Sequence, residues 1–197
     1  MLPCFKGGSF EEDNNNNKAF VGRLALMPIN LMPVETEIGL SGYWGEYDDA
    51  DHEIGGFDVD WKFVKGPLEL VGEYALLDLE DGGIQSDDLT AVPGFLSGYY
   101  IQLNYHFWFE TLNSTFLGRG FESPTFTAVV RYGQAHIDDD TDEDTGDNDE
   151  DQWVIGLNYR PVETWVLKLE YQMNKTDNES LDRGDSDGFI SSVTAAF

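Results

Sequence analysis

Residues 153–173 read WVIGLNYRPVETWVLKLEYQM, two alternating runs joined by Arg160–Glu163. The odd-numbered residues are apolar from Trp153 to Tyr159 and again from Trp165 to Met173, whereas the even-numbered ones are mostly polar or glycine. Successive side chains of a β-strand point to opposite faces of a sheet. The period of two therefore predicts a hairpin with one apolar face and one mixed, polar face.

The same alternation recurs along most of the chain, and spacing typical of helices is scarce. We predict nine strands, at about residues 18–27, 35–47, 55–65, 68–78, 97–109, 125–137, 152–160, 164–175 and 188–197. Residues 1–17 are then a leading segment, and residues 18–197 form one all-β unit.

Two kinds of connection take turns between these strands. The mostly short kind comprises residues 28–34, 65–67, 110–124 and 160–163, and the acidic, mostly longer kind comprises residues 11–17, 47–53, 80–93, 138–151 and 177–187. Outer-membrane barrels have short periplasmic turns and longer outward loops. This organisation predicts an antiparallel transmembrane β-barrel.

The composition excludes several classes of protein. The chain carries 38 acidic and 11 basic residues, a formal net charge of −27, whereas nucleic-acid binding depends on clustered lysines and arginines. No stretch approaches the roughly 20 apolar residues that a membrane helix requires. The mean hydropathy of −0.38 is compatible with a membrane barrel, because its strands present every second residue to lipid.

Aromatic residues cluster towards the ends of the apolar faces, often with smaller aliphatic residues between them. Tyrosine and tryptophan favour membrane interfaces, where the ring is in apolar surroundings and the OH or NH reaches water. We therefore predict two aromatic belts on the lipid side, with Trp44, Phe57, Tyr74, Tyr99, Tyr132, Trp153, Tyr159, Trp165 and Tyr171 as principal members. A soluble β-sandwich also alternates, but its core does not need aromatic residues at both ends of successive strands.

The C-terminal third resembles a known family. Its segments 153–161 and 166–172, together with the ending SVTAAF at residues 192–197, resemble the closing strands of Gram-negative porins, particularly those related to the phosphate-selective porin family. A looser resemblance extends upstream through residues 98–103, 118–121 and 129–132. The terminal Phe197 is similar to the signal by which the barrel-assembly machinery recognises its clients.

The resemblance implies a monomeric or homotrimeric barrel of about sixteen strands that passes small solutes by diffusion. Phosphate selectivity in the family depends on a lysine-rich constriction, which this sequence lacks. A single-chain bacterial barrel has an even number of strands, whereas we predict nine, and no signal peptide precedes them. We therefore expect the chain to be the C-terminal portion of a larger barrel; the alternatives are an irregular nine-stranded barrel and a further strand within residues 1–17.

The polar face is expected to line the pore. It contains five basic and six acidic residues: Arg23, Glu37, Asp58, Asp60, Lys62, Glu69, Glu73, Arg131, Arg160, Lys168 and Glu170. Because these charges nearly balance, the acidic loops decide the selectivity, and we expect a mild preference for cations. The same charges have a second possible role, which is to pair across neighbouring strands and stabilise the wall.

The most acidic stretch, residues 138–151, has ten acids in fourteen positions. A calcium loop of the EF-hand type needs glycine at its sixth position, but Gly146 is the seventh residue counted from Asp140. We expect a solvated loop without a specific metal site. Asp140, Asp142 and Asp144 still offer weak binding to divalent cations, which could bridge to lipopolysaccharide phosphates.

Catalysis requires a nucleophile and a base near one another, and no serine motif accompanies His52, His106 or His136. We therefore predict no enzymatic activity and no cofactor. The expected function is passive diffusion of small hydrophilic solutes across the bacterial outer membrane. The alternative is a structural or adhesive barrel with a plugged lumen, whose loops bind divalent cations or lipopolysaccharide.

Overall fold

Nine β-strands form one antiparallel sheet in the order of the sequence. The computed structural model describes residues 18–27, 34–46, 53–80, 94–138, 148–176 and 186–196. The strands are β1 Ala19–Leu26, β2 Glu35–Glu46, β3 Glu53–Lys65, β4 Leu68–Leu79, β5 Phe95–Phe107, β6 Thr125–Asp138, β7 Asn148–Val162, β8 Trp165–Thr176 and β9 Ser186–Ala195. The prediction of an all-β, antiparallel fold is confirmed.

The largest departure from the predicted bounds is at β7, which begins at Asn148 instead of residue 152. Asp149, Glu150 and Asp151 pair in register with His136, Ala135 and Gln134 of β6. This end of the acidic stretch is therefore strand, and the prediction of a loop up to Asp151 was wrong there. Cross-strand partners explain the difference, since His136 Nδ1 lies 2.6 Å from Asp149 Oδ1.

Two connections consist of only two residues, and one of them is the turn Gly66–Pro67 between β3 and β4, whose flanking residues Lys65 and Leu68 are paired. Gly66 has a φ of 58°, which a residue without a side chain adopts at no steric cost. Two-residue hairpin turns need such a residue because their twist must match that of the strands. We call this end of the strands, where β3 meets β4 and β7 meets β8, the turn end, and the opposite end the loop end.

The faces of the sheet differ in chemistry and in exposure. On the apolar face of β5, Leu103 is 46% exposed, whereas Asn104 on the polar face is 6% exposed. Val129 and Val154, also on the polar face, are buried as well. Side chains converge on the concave side of a curved sheet and diverge on the convex side, as in a barrel wall. The exposures therefore identify the polar face as concave and the apolar face as convex.

The described residues contain no conventional hydrophobic core, since Val129 and Val154 are, apart from two prolines, their only buried apolar side chains. The sheet is not closed, because the described strands β1 and β9 are its two edges and do not pair with each other. Apart from the strands, the described residues form a short 3-10 helix at Glu110–Ser114. None of their helices has the length and hydropathy needed to span a membrane.

Candidate functional site: the polar face of the sheet

All eleven residues predicted to line a pore lie on the polar face. The register of the strands aligns them in rows that run across the sheet, so that Asp60 faces Glu73 and Lys62 faces Glu37. The full set is Arg23, Glu37, Asp58, Asp60, Lys62, Glu69, Glu73, Arg131, Arg160, Lys168 and Glu170. The structure thus places all eleven residues on one face, and whether they contact a permeating solute stays a prediction.

An ion pair joins two strands that are not neighbours. Arg23 on β1 reaches over β2 to Asp60 on β3, with Nη1 at 2.7 Å from Oδ2 and Nη2 donating to Oδ1 at 3.0 Å. Arg23 also donates from Nη1 to Ser41 Oγ at 2.9 Å. Gly39 lies beneath this pair, and a Cβ there would overlap both Asp60 Oδ2 and Arg23 Nη2. The missing side chain at Gly39 is therefore what allows the two charges to meet.

A second polar network spans β3, β4 and β5 towards the turn end. Lys62 Nζ lies 3.2 Å from Glu69 Oε2, and the buried Asn104 donates to Glu69 Oε1 at 2.7 Å. Gln102 donates in turn to Asn104 Oδ1 at 2.9 Å. The buried Asn104 thus has a partner for both its amide nitrogen and its oxygen, as burial of a polar group requires.

Neutral amides replace ion pairs on β6 to β9. Arg131 donates to Gln152 Oε1 at 3.5 Å, Gln152 donates to Asn174 Oδ1 at 2.8 Å, and Asn174 donates to Ser186 Oγ at 3.3 Å. Arg160 and Lys168 form no ion pair with another described residue. The acidic residues among the eleven are therefore concentrated on β2 to β4, and the basic residues that form no ion pair with another described residue, Arg131, Arg160 and Lys168, lie on β6 to β8.

All nine predicted belt residues lie on the apolar face. The ring centroids of Tyr132 and Trp153 are 4.8 Å apart, and those of Tyr171 and Phe189 are also 4.8 Å apart. Their polar tips meet carboxylates at the loop end, since Tyr132 Oη donates to Asp151 at 2.7 Å and Tyr171 Oη to Asp187 at 3.0 Å. Rings with one apolar and one polar side are suited to a membrane interface. The belt set is Trp44, Phe57, Tyr74, Tyr99, Tyr132, Trp153, Tyr159, Trp165 and Tyr171.

Comparison with known families agrees with this arrangement. The family model of phosphate-selective porins O and P matches residues 9–196. The chain belongs to this porin family. No curated protein matches the chain. The family implies a channel rather than an enzyme and a location in the outer membrane, and the suspected relationship is confirmed.

Sequence reasoning overlooked Trp108 in this porin. Its ring stacks on Phe126 with centroids 5.5 Å apart and lies 6.4 Å from the ring of Tyr159. Trp108 Nε1 donates to Asn113 Oδ1 at 2.8 Å, and Tyr159 Oη donates to the carbonyl of Leu117. The segment after β5 thus packs on the apolar face at the turn end. Trp108 does not follow the alternation of β5, whose apolar residues have odd numbers. Only the preference of an indole ring for membrane interfaces could have indicated its place on the apolar face.

The remaining predictions concern the histidines, metal binding and the assembly signal. His106 Nδ1 lies 2.8 Å from Thr127 Oγ1 on the polar face, and the tautomer sets which atom donates. Among the residues that the structure describes, no group of three or more His, Cys, Asp or Glu side chains could hold a metal ion. Phe197, Asp140, Asp142, Asp144 and His52 lie outside the described residues, so the assembly signal and the weak cation site stay predictions.

Proposed function

We propose that the polar face lines a water-filled pore through which small hydrophilic solutes diffuse, with a mild preference for cations. The observation that carries the proposal is the inverted exposure of the two faces. Apolar side chains such as Leu103 diverge outward, whereas Asn104 and its polar neighbours converge inward. A protein whose outer surface contacts lipid and whose interior contacts water needs this arrangement.

The proposed cation preference rests on charge. Arg23 and Lys62 are each engaged with carboxylates of the wall, so they attract anions less than free cations do. The whole chain has a net charge of −27, which concentrates cations near its surface and repels anions. The eleven lining residues have too few basic members for us to propose phosphate selectivity.

The proposed partners follow from the two surfaces. The convex apolar face contacts outer-membrane lipid, and the acidic loop end contacts lipopolysaccharide through divalent cations. We also propose that the barrel-assembly machinery reads Phe197 and that the assembled porin is a homotrimer. No partner in the proposal is a nucleic acid, because the charge of the chain is opposite to what a phosphate backbone requires.

The test is electrical. Purified protein reconstituted into a planar bilayer is expected to give steady conductance steps, and unequal KCl concentrations on its two sides are expected to give a reversal potential of the sign for cation preference. That potential should shrink at higher salt, because screening shortens the reach of the loop charges. A reversal potential of the opposite sign contradicts the proposed selectivity.

The same recording separates the pore from the alternative function. A structural or adhesive barrel with a plugged lumen gives no steady step, however well it inserts. Lipopolysaccharide-containing bilayers with and without Mg²⁺ then test whether the loops bind divalent cations. A loss of lipid binding on chelation, without any conductance, supports the adhesive barrel instead of the pore.

A further inference from the structure

An apolar row interrupts the polar face near the loop end. In register across six strands lie Val21, Tyr43, Gly56, Leu77, Leu96 and Ile137. Elsewhere on this face apolar residues such as Val71, Val129 and Val154 lie among polar neighbours and form no row of this length, and a water-filled pore favours polar residues. Apolar side chains in water cost free energy, so their alignment in one row calls for an explanation.

The row forms one wall of a groove of about 530 Å³. Its floor consists of the next residues towards the turn end on β4, β5 and β6, namely Ala75, Gly98 and Ala135, which also pair in register. These small residues leave depth that larger side chains would fill. The groove is therefore a recess beside the larger side chains of the apolar row.

Carboxylates border the groove on the side towards the turn end. Asp58 pairs in register with Ala75 and lines the groove itself. Asp60 and Glu73 face each other one row further on. Among the described residues, Arg23 is the only basic side chain that forms ion pairs with these carboxylates, at 2.7 Å from Asp60 and 3.8 Å from Asp58. The border of the groove therefore has a negative charge.

Asp58 also has an unused acceptor. Its Oδ2 is shielded from solvent and accepts no hydrogen bond from the described residues, although burial of a charged oxygen without a partner is costly. Arg23 approaches the other oxygen, Oδ1, at 3.8 Å, which is beyond hydrogen-bond range. Because Oδ2 is closed to solvent, a cationic group in the groove would interact with the charge of Asp58 through the part of the side chain that is exposed, which is 23%.

The distance between the two features sets the size of the solute. Rows of one face are two residues apart along a strand, which is about 7 Å. The apolar row and Asp58 are one such step apart. A molecule that reaches both has a cationic group and an apolar body of a few carbon atoms.

We propose that this groove is a binding site for amphipathic organic cations, whose apolar part contacts Leu77, Leu96 and Ile137 while the cationic group lies at Asp58. The inference rests on the proposed pore, because it names a class of solute that the pore would concentrate at its mouth. A neutral or anionic molecule with the same apolar part lacks the interaction with Asp58.

Open-channel block tests the site. Hexyltrimethylammonium is expected to reduce the current through the reconstituted porin at about tenfold lower concentration than tetramethylammonium, since the open groove buries part of its chain. Hexanoate is expected to leave the current unchanged. Equal potency of the two ammonium ions overturns the site, and so does block by hexanoate.

Variants locate the block in the groove. Leu77→Ser is expected to abolish the preference for the longer ammonium ion, and Asp58→Asn is expected to weaken block by hexyltrimethylammonium several-fold. Val71→Ser is the matched control, because Val71 lies on the same face of β4, is half-buried and does not line the groove. If Val71→Ser lowers the preference as much as Leu77→Ser does, the site is overturned.

The experiments distinguish an error in the proposed binding site from an error in the proposed pore. Steady conductance without preferential block leaves the pore standing and removes the site. If no conductance appears, equilibrium dialysis of hexyltrimethylammonium against the refolded chain, compared with Asp58→Asn and Leu77→Ser, still measures binding. Binding that both substitutions weaken supports the site, and binding that neither changes overturns it.

Discussion

The apolar and the polar face of the sheet are made by alternate residues of the same strands, yet their side chains differ sharply in exposure. On the apolar face, Leu169 is 54% exposed and Val193 61% exposed, whereas on the polar face Val154 is 1% exposed. A soluble protein buries its apolar side chains and exposes its polar ones. The reversal is what the proposed pore requires if lipid is the solvent of the apolar face, and the following substitutions test that comparison.

The largest effect is expected from a charge on the apolar face. Leu169 lies on β8 between the belt residues Trp165 and Tyr171, and Leu169→Arg should destabilise the membrane-inserted state by about 2–4 kcal/mol. Gln172→Arg, on the polar face of the same strand, should cost far less because water reaches it. Urea titration of both variants in lipid vesicles measures the difference, and equal losses would falsify the assignment of the faces.

A smaller effect is expected from a cavity on the polar face. Val154→Ala removes two methyl groups from a fully buried position, which should destabilise the porin by about 1.5 kcal/mol. Val193→Ala makes the same change on the apolar face, where lipid chains can fill the space. Its expected effect is near zero in the same urea titration. If Val193→Ala is as costly as Val154→Ala, the apolar face packs against protein instead of lipid.

The smallest effect is expected at Gly39. Gly39→Ala should push apart Arg23 and Asp60, and exposed ion pairs contribute little to stability. The loss in urea midpoint should be below that of Val154→Ala, and Arg23→Gln should add nothing further once Gly39→Ala is present. Gly22→Ala is the control, because a Cβ at Gly22 meets no atom within 4 Å. Additive losses would show that Gly39 does not act through the ion pair.

The alternation of polar and apolar residues predicted much of the nine-stranded sheet. All nine strands and the face of every proposed lining and belt residue followed from alternation, which is set by the geometry of a single strand. The start of β7 did not follow, because Asp149 and Asp151 resemble the loop residues before them. They become strand through the partners His136 and Tyr132. Such partners are known only after the strands are aligned.

The sequence by itself determined that this chain is a sheet with one lipid-compatible face, because the side-chain period is a property of each strand. Only the tertiary structure decided which residues of different strands meet. Arg23 reaches Asp60 because Gly39 lies between them, and Leu77 joins Leu96 in an apolar row because the register aligns them. Registers depend on contacts between distant residues, so chemistry assembled across strands cannot be read along one of them.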